Sequence, residues 1–167
     1  RRVQASFTTA YNTEMNLKST IIRSAGPDDI SEIAQFNIAM AQETEERPLD
    51  SEIIRSGVAG VIQDHARGFY LIAERGQATV GSLLITFEWS DWRNGTLWWI
   101  QSVYVKPEHR RTGVFKTLYE AVISRARDTE NVRGIRLYVE QENLSAQSVY
   151  QKLLMQKTPY QMYERML

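Results

Sequence analysis

Val103-Tyr104-Val105-Lys106-Pro107-Glu108-His109-Arg110-Arg111-Thr112-Gly113-Val114-Phe115-Lys116-Thr117-Leu118 is the stretch whose reading decides the fold. An extended apolar run breaks at Pro107, crosses basic residues at His109, Arg110 and Arg111, reaches Gly113, and then becomes helical in its spacing. The first turn of a helix presents unpaired N–H groups and the positive end of the helix dipole, and a glycine there lets a phosphate come close to the backbone. A strand that leads into such a helix start points to a phosphorylated ligand.

Composition narrows the chemistry around that junction. The chain has 167 residues, enough for one ordinary domain with a core of its own. Lysine plus arginine and aspartate plus glutamate each number 20, so no net field draws the protein to nucleic acid or to an anionic membrane. The absence of cysteine excludes disulfides and a thiol nucleophile, and His65 and His109 are too scattered to form a metal cluster. No apolar run is long enough to span a bilayer, and the chain reads as soluble and cytoplasmic. Residues 1–18 read as an N-terminal extension or leader. Arg1 to Glu14 carry arginine, serine and threonine with little acid, and Met15 offers an alternative start. Residues 19–167 read as a single domain.

Moving outward from the junction, the sequence predicts a short strand over Thr20 to Arg23 and a turn at Ala25 to Asp29. A helix follows, carrying Ile30, Ile33, Ala34, Asn37 and Met40. Pro48-Leu49-Asp50 opens a second helical stretch with Ile54, Val58 and Ile62 on one side. Phe69 to Glu74, Val80 to Trp89 and Leu97 to Val105 read as three antiparallel strands, joined at Arg75-Gly76-Gln77 and at a loop ending in Asn94-Gly95. The helix after Gly113 runs to about Arg127, Ile135 to Val139 is a strand, and Asn143 caps a helix whose face holds Ala146, Tyr150 and Leu153. Tyr160 to Arg165 is expected as a last strand. The fold class is therefore α/β, with a mixed, mostly antiparallel central sheet flanked by helices.

This order of elements, with the phosphate-type junction after the fourth strand, resembles the GNAT superfamily of N-acetyltransferases from roughly Ser19 to the C-terminus. Arg110-Arg111-Thr112-Gly113 matches the superfamily's acyl-coenzyme A motif, with Phe115 standing where a second small residue is usual. Glu142 to Leu153 looks like its asparagine-to-tyrosine helix, with Leu154-Met155 where a glycine commonly follows. The two motifs, in the right order and separated by one strand, carry far more weight than either alone.

The resemblance implies acetyl-CoA as cofactor and an amine of a small molecule or protein as acceptor. Neither metal, nucleic acid nor membrane is expected as a partner, and a homodimer is compatible with the chain. It also implies that backbone groups of Val103, Tyr104 and Val105 hold the pantetheine arm as an added strand. The diphosphate would then lie on the amides of Arg111, Gly113, Val114, Phe115 and Lys116, with the arginine and lysine side chains adding charge, Arg110 and Thr112 belonging to the same binding loop, and Asn143 and Ala146 bordering the coenzyme. Tyr150 matches the general acid that protonates the departing thiolate, a role suited to a phenol with a pKa near ~10. Gln101 stands where some members carry a basic glutamate, so Glu88 is the remaining carboxylate candidate for the base, and a chain of waters would serve equally well. Trp89, Trp92, Trp98 and Trp99 beside Glu88 and Asp91, together with the acidic run Glu43 to Glu46, would suit a cationic amine. Aromatic residues on strands more often pack a core or an interface, and these tryptophans can do the same. The alternative to an enzyme is a non-catalytic acyl-CoA-binding regulatory module.

Overall fold

The structure, a computed structural model, describes residues 19–46 and 48–167; the extension expected over 1–18 lies outside the described residues. The chain divides into two compact units, one ending at Leu137 and the other running Tyr138–Leu167.

The first unit contains β1 (Ile21–Ser24), α1 (Ile30–Glu45), α2 (Ser51–Gln63), β2 (Phe69–Arg75), β3 (Ala78–Ser90), β4 (Gly95–Val105), α3 (Val114–Asp128) and β5 (Val132–Arg136). The strands form a five-stranded sheet in the order β1-β2-β3-β4-β5. The first four are antiparallel and β5 lies parallel to β4. β1 is short, and a charge network anchors it. Arg23 grips Asp29 through two hydrogen bonds of 2.7 Å and reaches Glu74 on β2 at 2.8 Å. The Arg23 guanidinium and the Gly26 N–H together hold the Asp29 carboxyl below its usual range, although burial opposes them. α2 starts one residue after Asp50, whose carboxylate accepts from the N–H groups of Glu52 and Ile53 at 2.9 and 3.0 Å.

Alternation along the strands gives the sheet two faces. Tyr70, Ile72 and Leu84 point to one, where they pack with Ile33 and Ala34 of α1 and Val58 of α2. The other face is covered by α3, which buries Val114, Leu118, Val122 and Ala126. Arg125 of α3 lies 4.3 Å from the ring centroid of Phe69, which meets Trp98 edge-on at 5.2 Å.

Two expected strands differ in the structure. The fifth strand spans Val132–Arg136 rather than Ile135 to Val139. Its register is set by β4, with Gly134 opposite Leu97, where a Cβ would meet the leucine side chain at 3.2 Å. Gly134 has low strand propensity, so the local signal began too late. Tyr160 to Arg165 forms no strand. Its aromatic residues supply the propensity, but a strand exists only where a neighbour pairs its backbone. The second unit contains α4, Leu144–Lys152.

Candidate functional site

β3 pairs with β4 along its whole length, whereas β5 pairs with it only from Thr96 to Trp99. The β3–β4 register slips between Ser82 and Leu84, which face Tyr104 and Gln101, so β4 carries one extra residue there. That bulge contains Ser102 in a left-handed conformation, φ 47°. Past the bulge, the N–H of Lys106 donates to the carbonyl of Val80 at 2.9 Å. Strand alternation then turns the backbone groups of Val105, and of Val103 two residues earlier, toward the opposite edge. Beyond Trp99 no strand among the described residues continues the ladder on that edge. Such an edge can take an extended guest.

The chain next enters a tight turn at Pro107–His109 and a loop in which Arg111 and Gly113 both have positive φ, 61° and 91°. The Thr112 hydroxyl donates to the His109 carbonyl at 2.6 Å, and the Thr112 carbonyl accepts from Arg75 of β2 at 2.9 Å. The loop is thereby fixed from inside and from the sheet. α3 begins without a side-chain cap, and its first hydrogen bond of this type runs from the Thr117 N–H to the Gly113 carbonyl at 3.0 Å. By helix geometry the N–H groups of Val114, Phe115 and Lys116 have no intrahelical acceptor. A Cβ built on Gly113 would meet nothing within 4 Å, so the space beside these donors is open. Phe115 directs its ring toward Tyr119, centroids 6.3 Å apart, one turn along the helix. Uncapped donors, the dipole and the open approach at Gly113 all fit the diphosphate of an acyl-CoA.

Arg110 takes a different place from the one expected. Its Nε donates to the Val105 carbonyl at 2.9 Å and its Nη2 to Glu43 of α1 at 2.5 Å, so its charge is committed within the protein. The Tyr104 hydroxyl donates to the same Glu43 at 3.2 Å, and its ring packs on Phe36, centroids 5.0 Å apart. Burial, followed by the Glu43 charge, pushes the Tyr104 phenol up. Lys106 pairs with Glu32 of α1 at 2.9 Å. Glu43, read in sequence as part of an acidic run facing an acceptor, thus joins α1 to the loop that follows β4. Arg111 and Lys116 remain as the loop's exposed cations, the latter 3.7 Å from Glu120 in a weak surface pair.

Glu88 also differs from expectation. It faces Leu97, six residues before Val103, which is about 20 Å along a strand. Arg136 Nη1 donates to both its carboxylate oxygens, at 2.8 and 3.0 Å, and Trp99 Nε1 donates to Oε2. Three of roughly four lone-pair positions on that carboxylate are therefore filled. The tryptophans divide between locations. Trp98 is buried on the α3 face, Trp89 and Trp92 are largely exposed, and Trp99 shares the face of Glu88.

In the second unit the Asn143 carbonyl oxygen accepts from the Ala146 N–H at 3.0 Å, capping α4 as its spacing suggests. Tyr150 lies on this helix, and burial pushes its phenol above the ordinary value. Among the described residues no group of three or more His, Cys, Asp or Glu side chains could hold a metal ion, and no helix is long and apolar enough to cross a membrane.

Comparison with known proteins gives the arrangement a lineage. The Acetyltransferase (GNAT) family profile matches residues 31–154. The crystal structure of a possible acetyltransferase from Clostridium difficile 630 is 41% identical, with 89% of this chain and 97% of that one covered and a TM-score of 0.83. A predicted acetyltransferase from Clostridium acetobutylicum, crystallised with acetyl-CoA, is 18% identical over 88% of this chain and 96% of that one, TM-score 0.74. A ribosomal-protein-alanine N-acetyltransferase from Brucella melitensis biovar Abortus 2308 is 17% identical over 89% and 99%, TM-score 0.71. The last two show a shared fold. No curated protein matches the chain in sequence. The open β4 edge, the uncapped glycine turn and a family match over most of the folded chain lead to one conclusion: the chain belongs to the GNAT family of acetyltransferases.

Proposed function

We propose that the protein is an N-acetyltransferase that moves an acetyl group from acetyl-CoA directly to a primary amine, with both substrates bound together. The observation that carries this reading is the sequence of a β4 edge that no strand among the described residues pairs beyond Trp99, a bulge at Ser102 and the uncapped, open start of α3 at Gly113. Acetyl-CoA supplies a thioester whose carbon–sulfur bond is exchanged for a carbon–nitrogen bond, while the amine loses a proton and the sulfur gains one.

Each remaining role belongs to the chain. Backbone groups of Val103 and Val105 hold an extended arm, the carbonyl of Val105 being already engaged by Arg110. The first-turn N–H groups of Val114, Phe115 and Lys116, with the exposed charges of Arg111 and Lys116, hold the diphosphate. Tyr150 is the proton donor, because burial keeps its phenol protonated beyond the ordinary range. The proton lost by the amine passes to solvent, since Glu88 is tied to Arg136 and Trp99 and lies far along the sheet from Val103. The sequence holds no cysteine to carry an acyl group, which supports direct transfer.

The test has two parts. Calorimetry should detect acetyl-CoA binding to the folded chain, and thiol release should rise with added amine. Binding without any amine-dependent release would instead identify a non-catalytic acyl-CoA-binding module.

A further inference from the structure

Building on the acetyl-transfer reading above, we infer that the acceptor is an amine that also carries a carboxylate, and that the carboxylate is gripped by Arg136. The relevant side chains share the sheet face that also packs α1 and α2. Leu84 of that core faces Gln101, Thr86 faces Trp99, and Trp99 faces Arg136 across the β4–β5 ladder. Directly opposed residues project to the same side, so these groups form one patch just before the bulge.

The guanidinium is held in place. Its Nη1 donates to both oxygens of Glu88, its centre lies 5.8 Å from the Trp99 ring centroid, and the Trp99 indole N–H closes the circuit on Glu88. The Arg136 side chain is nevertheless 34% exposed, and among the described residues its Nε and Nη2 have no hydrogen-bond or ion-pair partner. Those two nitrogens form the side-on fork that matches a carboxylate in a bidentate manner. Since Glu88 already accepts three hydrogen bonds, the unmet capacity here is for an acceptor of hydrogen bonds, and a carboxylate fills both arms of the fork with charge-assisted bonds. A simple cationic amine would meet a guanidinium of its own sign.

Position agrees with charge. Gln101 is two residues from Trp99, about 7 Å of strand rise, and Val103 is a further two residues on. A carboxylate on Arg136 therefore leaves the amine of an amino-acid-sized molecule near Gln101, on the way to the open edge. Glu88 is then a positioning residue, which orients Arg136 rather than taking a proton.

The experiment uses the full chain with two matched sets: L-leucine, L-leucinamide and 3-methylbutylamine, and L-phenylalanine, L-phenylalaninamide and 2-phenylethylamine. Thiol release from acetyl-CoA gives kcat/KM for each, and ligand-observed NMR gives binding without turnover. The carboxylate member of a set should exceed its amide by about 10- to 100-fold, the size of a charge-assisted contact, although the amide's amine is the more readily deprotonated. Arg136→Lys keeps the charge but loses the fork, and should collapse that ratio to near unity through KM while acetyl-CoA affinity is retained.

Equal use of acid and amide, failure of both amino acids to bind, or a ratio that survives in folded Arg136→Lys would overturn the assignment. Phosphoethanolamine outperforming every member of both sets would also overturn it, because the fork would then serve a phosphate. If acetyl-CoA binds and plain amines are acetylated as well as acids, only this inference falls. If acetyl-CoA does not bind, the acetyl-transfer reading falls with it.

Discussion

Replacing Gly113 should separate what the fold requires from what a bound diphosphate requires. Its φ of 91° lies where a side chain is strained, by roughly 1–2 kcal/mol for an ordinary residue and more for a β-branched one. A Cβ there meets nothing within 4 Å, so collision adds nothing to that strain. Gly113→Val should therefore lower stability by about 2 kcal/mol, and Gly113→Asn by less than about 1 kcal/mol, because asparagine tolerates left-handed backbone. Ligand affinity should respond differently. Either variant adds a side chain at the turn that leads into the Val114, Phe115 and Lys116 N–H groups, and loss of one charge-assisted hydrogen bond costs about 1.5–3 kcal/mol. Acetyl-CoA should thus bind about 10- to 100-fold more weakly to both. Urea denaturation reads the first quantity and calorimetry with acetyl-CoA the second. A folded Gly113→Asn that binds acetyl-CoA as tightly as wild type would refute a diphosphate on this turn. A stability loss of several kcal/mol in Gly113→Asn would instead expose a collision that the packing around Gly113 does not contain.

Further outcomes follow from other parts of the molecule. Tyr150→Phe should slow turnover by about 100-fold with nearly unchanged acetyl-CoA affinity. Because burial raises this phenol, the alkaline fall in rate that it governs should lie above pH ~10, and superimposable pH–rate profiles for wild type and variant would remove Tyr150 as the acid. Arg23→Met should cost about 1–2 kcal/mol at neutral pH, a figure discounted because the Arg23 side chain is 39% exposed. The Asp29 carboxyl is depressed in the folded state, so its contribution is present above the ordinary value near ~3.9 and is lost as pH falls through the lower folded value. Urea titrations at pH 7 and below pH 3 should show the penalty shrinking in acid, and an equal penalty at both would contradict the ion-pair account. Leu118→Ala, at a fully buried position where α3 meets the sheet, should cost about 2–5 kcal/mol in the same assay.

The parts of this architecture that were legible in the chain are those encoded within a few residues. The break at Pro107, the glycine before Val114 and the Asn143 cap each act over less than one helical turn, and each forms where its spacing indicates. The strands from Phe69 to Val105 were likewise visible through their β-rich runs and the turns between them. Contacts between distant residues had no such signal. Glu43 and Arg110 are 67 positions apart and Glu88 and Arg136 are 48 apart, yet these pairs decide that one arginine is tied to α1 and that one carboxylate serves a guanidinium. The bulge at Ser102 was equally hidden, because it arises from a register slip against β3 and is marked by neither glycine nor proline.

Arg110, which covers the Val105 carbonyl with a charged group, has a consequence for solubility as well as for ligand binding. Exposed ladder positions invite intermolecular sheet growth, and a fixed charge beside one of them makes continuous pairing with a foreign polypeptide unfavourable. A guest that uses only isolated positions, such as a flexible amide-bearing arm, escapes that restriction. The guanidinium therefore acts as a gatekeeper against self-association along the stretch of β4 beyond Trp99.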